Sequence, residues 1–399
     1  MSRSNCDPVQ LLRDLVAIPS ANPMGSRASG EHFLEGRMTE FLCGWFATQG
    51  IDYHIQDVTA DRQNVVAWID GRSDLPRVLF DAHQDTVPVD GMTIDPFDAD
   101  LRDGRIWGRG ACDVKGGMAS MLTALARAKS LPDHPTVIMS CTCDEELGQT
   151  GARTLANCWK NSKQTLGFPS PPNLAIVAEP TSLDVVTAHR GTVRWKIRVS
   201  GRAVHSSQPD LGVNAIYRMA QLIQALQDYA GLLATRVPQH SLCGPATLSV
   251  GRIEGGTSVN MVPDWCAIEI DRRTLPGEDV AWALDDINQF LRQRLEFDFD
   301  MQTPTGGSSL DDDNNSELGM LLGRSIDSQR GGHREIGVAY TTHAPQYAAI
   351  GLPTIVFGPG SIEQAHTKDE WIEVAQIEQA TEILVHFLSH LPPATTVSG

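Results

Sequence analysis

Acidic and imidazole side chains recur where apolar runs end: His83 and Asp85, Asp113, Glu145 and Glu146, Glu179, and His366 after 354–357. The runs at 77–82, 136–143 and 174–178 are nearly all apolar and read as buried strands. Adjacent glutamates at a strand end point in different directions. One of the pair Glu145-Glu146 can therefore bind a metal while the other moves a proton, a division that suits hydrolysis by metal-activated water. Taken singly, each residue has a blander reading: a Glu-Glu pair is usually a solvated turn, and a lone histidine is usually a hydrogen-bonded structural residue. The number of donors at successive strand ends outweighs that reading. Carboxylates gathered this closely repel, and without a cation several must protonate or separate. Two divalent ions remove the conflict, with one aspartate bridging them and one His and one carboxylate for each. Mixed N/O donors suit Zn²⁺, with Co²⁺ or Mn²⁺ as substitutes.

Strand ends converge only if one sheet carries them. Strand patterns at 64–69 and 77–82 are followed by a helix at 115–129, the strand to Cys143, a helix near 151–158 and the strand 174–178; helical spacing also marks 8–18 and 31–49. Strands alternating with helices predict an α/β sheet covered on both faces, and in such sheets ligands gather beyond the carboxyl ends of the strands. After about residue 188 the pattern changes to an alternating strand at 190–199, a helix at 213–234, strands near 246–253 and 264–271, a helix at 279–294 and a last strand at 295–301. This order predicts an antiparallel α+β (ferredoxin-like) domain with two helices on one face, inserted into the larger one. A helix at 315–327, a strand at 354–357 and a helix at 371–391 resume the α/β pattern. The expected domains are 1–188 and 304–399 for the catalytic part and 189–303 for the insert, with a Pro/Ser loop at 161–173 and a fraying tail from Pro392.

The net charge of -17 over 399 residues argues against nucleic acid as a partner and gives no help on an anionic membrane. No run approaches the roughly 20 apolar residues of a membrane span. Residues 1–8 carry no apolar signal region, and the eight cysteines show no disulfide spacing, so free thiols in a reducing cytoplasm are expected. Cys141 and Cys143 share a strand face and read as small buried apolar side chains rather than a zinc thiolate pair. There is no Gly-x-Ser-x-Gly elbow, no His-Glu-x-x-His helix and no P-loop.

Five segments together resemble the metal-site motifs of the M20 family of metallopeptidases and deacylases: His83-x-Asp85, Gly110-x-x-Asp113-x-Lys-Gly-Gly117, Asp144-Glu-Glu146, Ala178-Glu-Pro-Thr181 and Gln364-Ala-His366. They stand in the family's order across nearly the whole chain. The resemblance implies that His83 and Glu179 hold one zinc, that Glu146 and His366 hold the other, and that Asp113 bridges them. It implies that Asp85 hydrogen-bonds His83 and fixes its tautomer, that Glu145 is the general base and then the acid, and that a cis peptide follows Asp113. In the insert, 200–207 resembles the family's Gly-x-x-x-His lid motif, whose His205 would reach a partner subunit's site; this implies a homodimer. Asn260 and Arg272 would bind a substrate carboxylate. Within the family, 340–347 and 352–366 look most like the acetylornithine deacetylase group, with succinyl-diaminopimelate desuccinylases beside it. The expected substrate is a small N-acyl amino acid, or a dipeptide in the peptidase branches. Two residues depart from that group: His343 stands where it has glutamate, at a position expected to face the substrate side chain, and Gln84 replaces its threonine.

Overall fold

The computed structural model of the chain describes residues 6–26, 28–161 and 169–393. Most of the loop expected at 161–173, most of the stretch 1–8 and the tail from 394 lie outside these. The chain divides into two units, Met1–Thr187 with Asp312–Ile336 and Thr342–Gly399, and Ala188–Asp311 with Gly337–Thr341. The insert thus runs on to Asp311 rather than 303. The short segment 337–341 joins it through Arg190 N–H donating to Val338 O at 3.1 Å and a Thr192–Thr341 hydroxyl contact at 2.7 Å.

The first unit is built on an eight-stranded mixed sheet. Its centre is four parallel strands, Val137–Thr142, Val78–His83, Leu174–Val177 and Thr354–Val356. Every residue in them is buried, as expected for strands covered on both faces. On one face, side chains such as Val78, Phe80, Val137, Met139 and Ile176 pack with the helices Pro8–Val16, Gly36–Gln49, Gly116–Ala128, Ser316–Arg330 and Val374–Ser389. On the other lie Asp81, His83, Ser140 and Thr142, near the helices Thr150–Lys160 and Ala344–Ala348.

Several strands were not anticipated. Asp52–Thr59 pairs antiparallel with Arg62–Ile69 at an edge and buries almost nothing, so it has no apolar signature. Three-residue strands escape any window: Arg105–Trp107 pairs with Asp100–Arg102 and with Trp371–Glu373. The last of these occupies the start of what was expected to be the C-terminal helix.

The second unit has an antiparallel sheet in which Thr247–Gly255, Trp265–Thr274, Gly191–Ser200 and Phe299–Met301 lie side by side, and Thr305–Gly307 also pairs with Gly191–Ser200. Val193, Trp195, Ile197 and Val199 alternate inward under the helices Ala215–Arg236 and Val280–Arg294. Asn214 and Asp279 cap these helices, each accepting from two backbone N–H groups. Among the described residues no helix is long and apolar enough to cross a membrane.

Candidate metal centre

The centre forms where the parallel strands end. Val78–His83 ends on His83, Val137–Thr142 runs into Glu145 and Glu146, Leu174–Val177 runs into Glu179, and Thr354–Val356 leads past Gly358 to His366. Gly358 has to lack a side chain, because a Cβ would lie 2.5 Å from the Glu179 carbonyl oxygen. Asp113 arrives differently, from the turn Ala111–Lys115 that opens the helix Gly116–Ala128. The Asp113–Val114 peptide is cis.

Asp113 divides its two oxygens. Oδ1 lies 3.2 Å from His83 Nε2, and Oδ2 lies 3.3 Å from His366 Nε2. Glu146 Oε2 is 3.2 Å from the same His366 nitrogen. Ligand atoms of His83, Asp113 and Glu179 all fall within 4.8 Å of one another, as do those of Asp113, Glu146 and His366. Two triads sharing one carboxylate are a two-ion geometry. The residues fit such ions: Glu146 Oε1 is buried with no hydrogen-bond partner, and the donors are all nitrogen or oxygen. Cys141 and Cys143 are buried thiols whose pKa values burial raises, outside both triads.

The electrostatics carry the same strain. Burial, then the Asp113 charge, pushes Glu146 up to about 8. Burial followed by Asp113 and Glu145 drives Glu179 well above the carboxylate range. Burial would raise Asp113 too, but hydrogen bonds from His366 and His83 outweigh it and hold the group below its ordinary value. The same contacts, to Asp113 and then Glu146, lift His366 to about 11. Without metal, the site therefore holds protons where ions would sit. In the metal-free protein the raised Glu146 and His366 stabilise the fold below their ordinary 4.5 and 6.5, and this is lost as pH rises through about 8 and about 11. Zn²⁺ binding at pH 7 should release protons, and its affinity should rise with pH as Glu146 and then His366 give up theirs. Calorimetry in two buffers of different ionisation enthalpy reads this directly; heats identical in both would contradict it.

Asp85 meets His83 through its main chain. His83 Nδ1 meets the backbone carbonyl of Asp85 at 2.8 Å, while the carboxylate Oδ1 is 3.7 Å away. The carboxylate instead accepts the N–H groups of Glu145 and Glu146, at 3.0 and 3.2 Å, and the Asn22 amide at 2.8 Å. One residue thus orients His83 by its main chain and the Glu145-Glu146 dipeptide by its side chain. Glu145 turns away from the Glu146 triad; its Oε1 accepts from Gln149 Nε2 at 3.3 Å, and burial raises its pKa.

His343 is fully buried, with Nε2 2.5 Å from Asp81 Oδ2 and its ring edge-on to His83. Asp81, in mid-strand, also accepts from Ser140, Thr142 and Tyr347 hydroxyls. His343 is thus buried beside Asp81 rather than displayed on a surface. Gln84 is buried too, and its amide bridges the carbonyls of Gln63 and Cys141 while Thr39 donates to its oxygen.

His205, Asn260 and Arg272 belong to the second unit. His205 is exposed, with Nδ1 2.8 Å from Ser207 Oγ. Asn260 is exposed, accepts from Ser258 Oγ at 2.6 Å, and its carbonyl accepts from Ser206 N–H at 3.0 Å, tying the two loops together. Arg272 is buried and its guanidinium is paired with Glu278, so the fork expected for a substrate is already filled. The neighbouring Arg273, on the other strand face, is the partly exposed one.

Sequence reasoning passed over Asp81, Asn22, Arg109 and Glu370, all buried around the centre. A charge inside an apolar strand was a signal for Asp81, since a buried charge needs partners.

The model of peptidase family M20/M25/M40 matches residues 79–390. The acetylornithine deacetylase of Proteus mirabilis is 32% identical over 395 residues, covering 94% of each chain. A Staphylococcus aureus tripeptidase superposes with a TM-score of 0.77 at 19% identity over 96% of this chain and 97% of that one. A dinuclear metal-binding M20 peptidase from Bacillus subtilis superposes at 0.65 with 17% identity, covering 96% of each.

Proposed function

The chain belongs to peptidase family M20/M25/M40, and on that premise we propose that it hydrolyses the amide of an N-acyl amino acid with a pair of metal ions, zinc in the first instance, and Glu145 as proton carrier. The observation that carries the reading is the Asp113 carboxylate, with one oxygen toward His83 and the other toward His366. His83 and Glu179 would hold one ion, Glu146 and His366 the other, and Asp113 both. Bound there, the metals supply Lewis acidity and lower the pKa of water toward ~7.

The protein's own groups do the rest. Asp85 fixes the main chain of Glu145 and Glu146, so that ligand and base leave one dipeptide in different directions. Glu145, its carboxyl raised by burial, accepts a proton from the attacking water and returns it to the departing amine. In the second unit, His205 and Asn260 would meet the substrate or the developing oxyanion in a homodimer, while Arg272 is engaged by Glu278 and Arg273 by Asp271.

The acyl amino acid class is favoured by likeness to acetylornithine deacetylases over nearly the full length. Ornithine itself is disfavoured. Where that group has a glutamate, this chain has His343, buried beside Asp81, so this position offers no carboxylate to a cationic side chain. N-acetyl amino acids with neutral or acidic side chains fit better. A panel of N-acetyl amino acids, N-succinyl-diaminopimelate and dipeptides, assayed for amine release by zinc-loaded protein, should give kcat/KM for the best neutral or acidic N-acetyl amino acid at least about 10-fold above N-acetylornithine, the scale of one missing or unmatched contact. Preference for dipeptides would move the protein to the exopeptidase branch, and preference for N-acetylornithine would overturn the side-chain argument.

A further inference from the structure

Glu370 lies four residues past His366 and is fully buried. Its carboxylate accepts four hydrogen bonds. Oε2 takes Arg109 Nη1 at 2.6 Å and Gly110 N–H at 3.0 Å; Oε1 takes Cys112 N–H at 2.8 Å and Asp113 N–H at 3.0 Å. All four donors lie on the segment that delivers Asp113. The tie also runs the other way: Arg109 Nη2 donates to the Thr367 carbonyl at 3.2 Å, next to His366, and Gly108 N–H donates to the Glu370 carbonyl at 3.0 Å. Just beyond, Trp371–Glu373 pairs antiparallel with Arg105–Trp107, with Trp371 opposite Trp107.

His366 needs such a tie more than the other ligands do. It sits in a loop at φ 61° with its side chain half exposed, whereas His83 and Glu179 leave directly from buried parallel strands. Asp113 and His366 arrive on separate segments, and the Glu370–Arg109 pair bonds to both at once.

We propose that Glu370, through Arg109, is a positioning residue for the second ion: it holds the Asp113 turn and the His366 loop in register, so that Asp113, Glu146 and His366 form a preorganised triad. This rests on the two-ion reading above. Glu370 touches no reacting atom; its effect passes through ligand geometry, and outer partners of metal ligands typically govern affinity by 10–100-fold.

The test is stepwise Zn²⁺ titration of metal-free protein by calorimetry, with bound metal counted after dialysis and folding checked by circular dichroism. Wild type should take two ions with resolvable constants. Glu370→Gln keeps the size but loses the charge and one acceptor position; it should weaken the second ion about 10–100-fold and the first, which keeps His83 and Glu179 at the strand ends, by clearly less. Should Glu370→Gln not fold, Arg109→Lys, which keeps a cation beside Glu370 but cannot also reach Thr367, should weaken the second ion in the same selective way. Two ions bound by the variant as tightly as by wild type would overturn the proposal, as would equal weakening of both. A wild type that holds fewer than two ions would overturn the two-ion reading as well, so the two failures are told apart.

Discussion

Glu145→Gln keeps both metal ions and loses turnover, by about 10²–10⁴-fold in kcat, the usual contribution of a positioned proton carrier. The expectation follows from how the dipeptide is held. Asp85 fixes the main-chain N–H groups of both glutamates, and those bonds do not depend on the Glu145 side chain. Glu146 faces His366 and Asp113, while Glu145 contacts Gln149 and belongs to neither triad. An amide in place of the carboxyl leaves the shape of the site intact but cannot accept a proton from water. KM should move little, because the group acts on the proton in flight rather than on bound substrate. Metal analysis of the purified variant, beside steady-state rates, checks both halves. Loss of metal would mean that Glu145 is a ligand and that the roles of the two glutamates are exchanged.

Asp113→Ala should have the opposite profile: both ions are lost or held only weakly, and turnover disappears with them. Each triad contains Asp113, so one substitution leaves His83 with Glu179 and His366 with Glu146, two ligands apiece. The change also releases the electrostatic strain. Asp113 is the largest charge raising the carboxyl groups of Glu146 and Glu179, and it is the leading cause lifting His366; all three should move back toward ordinary values. Thermal stability then separates metal binding from folding. Ions present at about 100 times their Kd stabilise the wild type by about 2.7 kcal/mol each, so a chelator should lower its Tm clearly and leave that of Asp113→Ala almost unchanged. An equal chelator effect on both proteins would place the ions elsewhere.

The donors that gather at the centre were legible because strands announce them. His83, Glu146 and Glu179 follow apolar runs short enough to be buried strands, and parallel strands of one sheet must end on the same side. Asp113 has no such mark. It lies in an irregular turn ahead of a helix, and only the motif around it assigned a role.

What stayed hidden depends on contacts distant in sequence. Glu370 reads as one acidic residue before Trp371; its partners are backbone N–H groups of a turn some 260 positions earlier, which no side-chain pattern reports. Asp85 was expected to hydrogen-bond His83; its main chain makes that contact and frees the carboxylate for the glutamate pair. Arg272 is a case where the signal existed. Along Trp265–Thr274 the even positions face inward, so the period of two already put Arg272 beside Ile268 and Ile270 and left Arg273 on the other face. The boundary of the insert was misplaced by eight residues because 305–311 is short, irregular strand and loop rather than a composition change.

The central claim is a pair of ions sharing Asp113, and the most direct measurement is anomalous diffraction at the zinc edge from crystals of the zinc-loaded protein. The account predicts two peaks about 3.5–4 Å apart, one bounded by His83 and Glu179, the other by Glu146 and His366, with an Asp113 oxygen on each. A single peak, or two peaks that leave Asp113 uncoordinated, would contradict it.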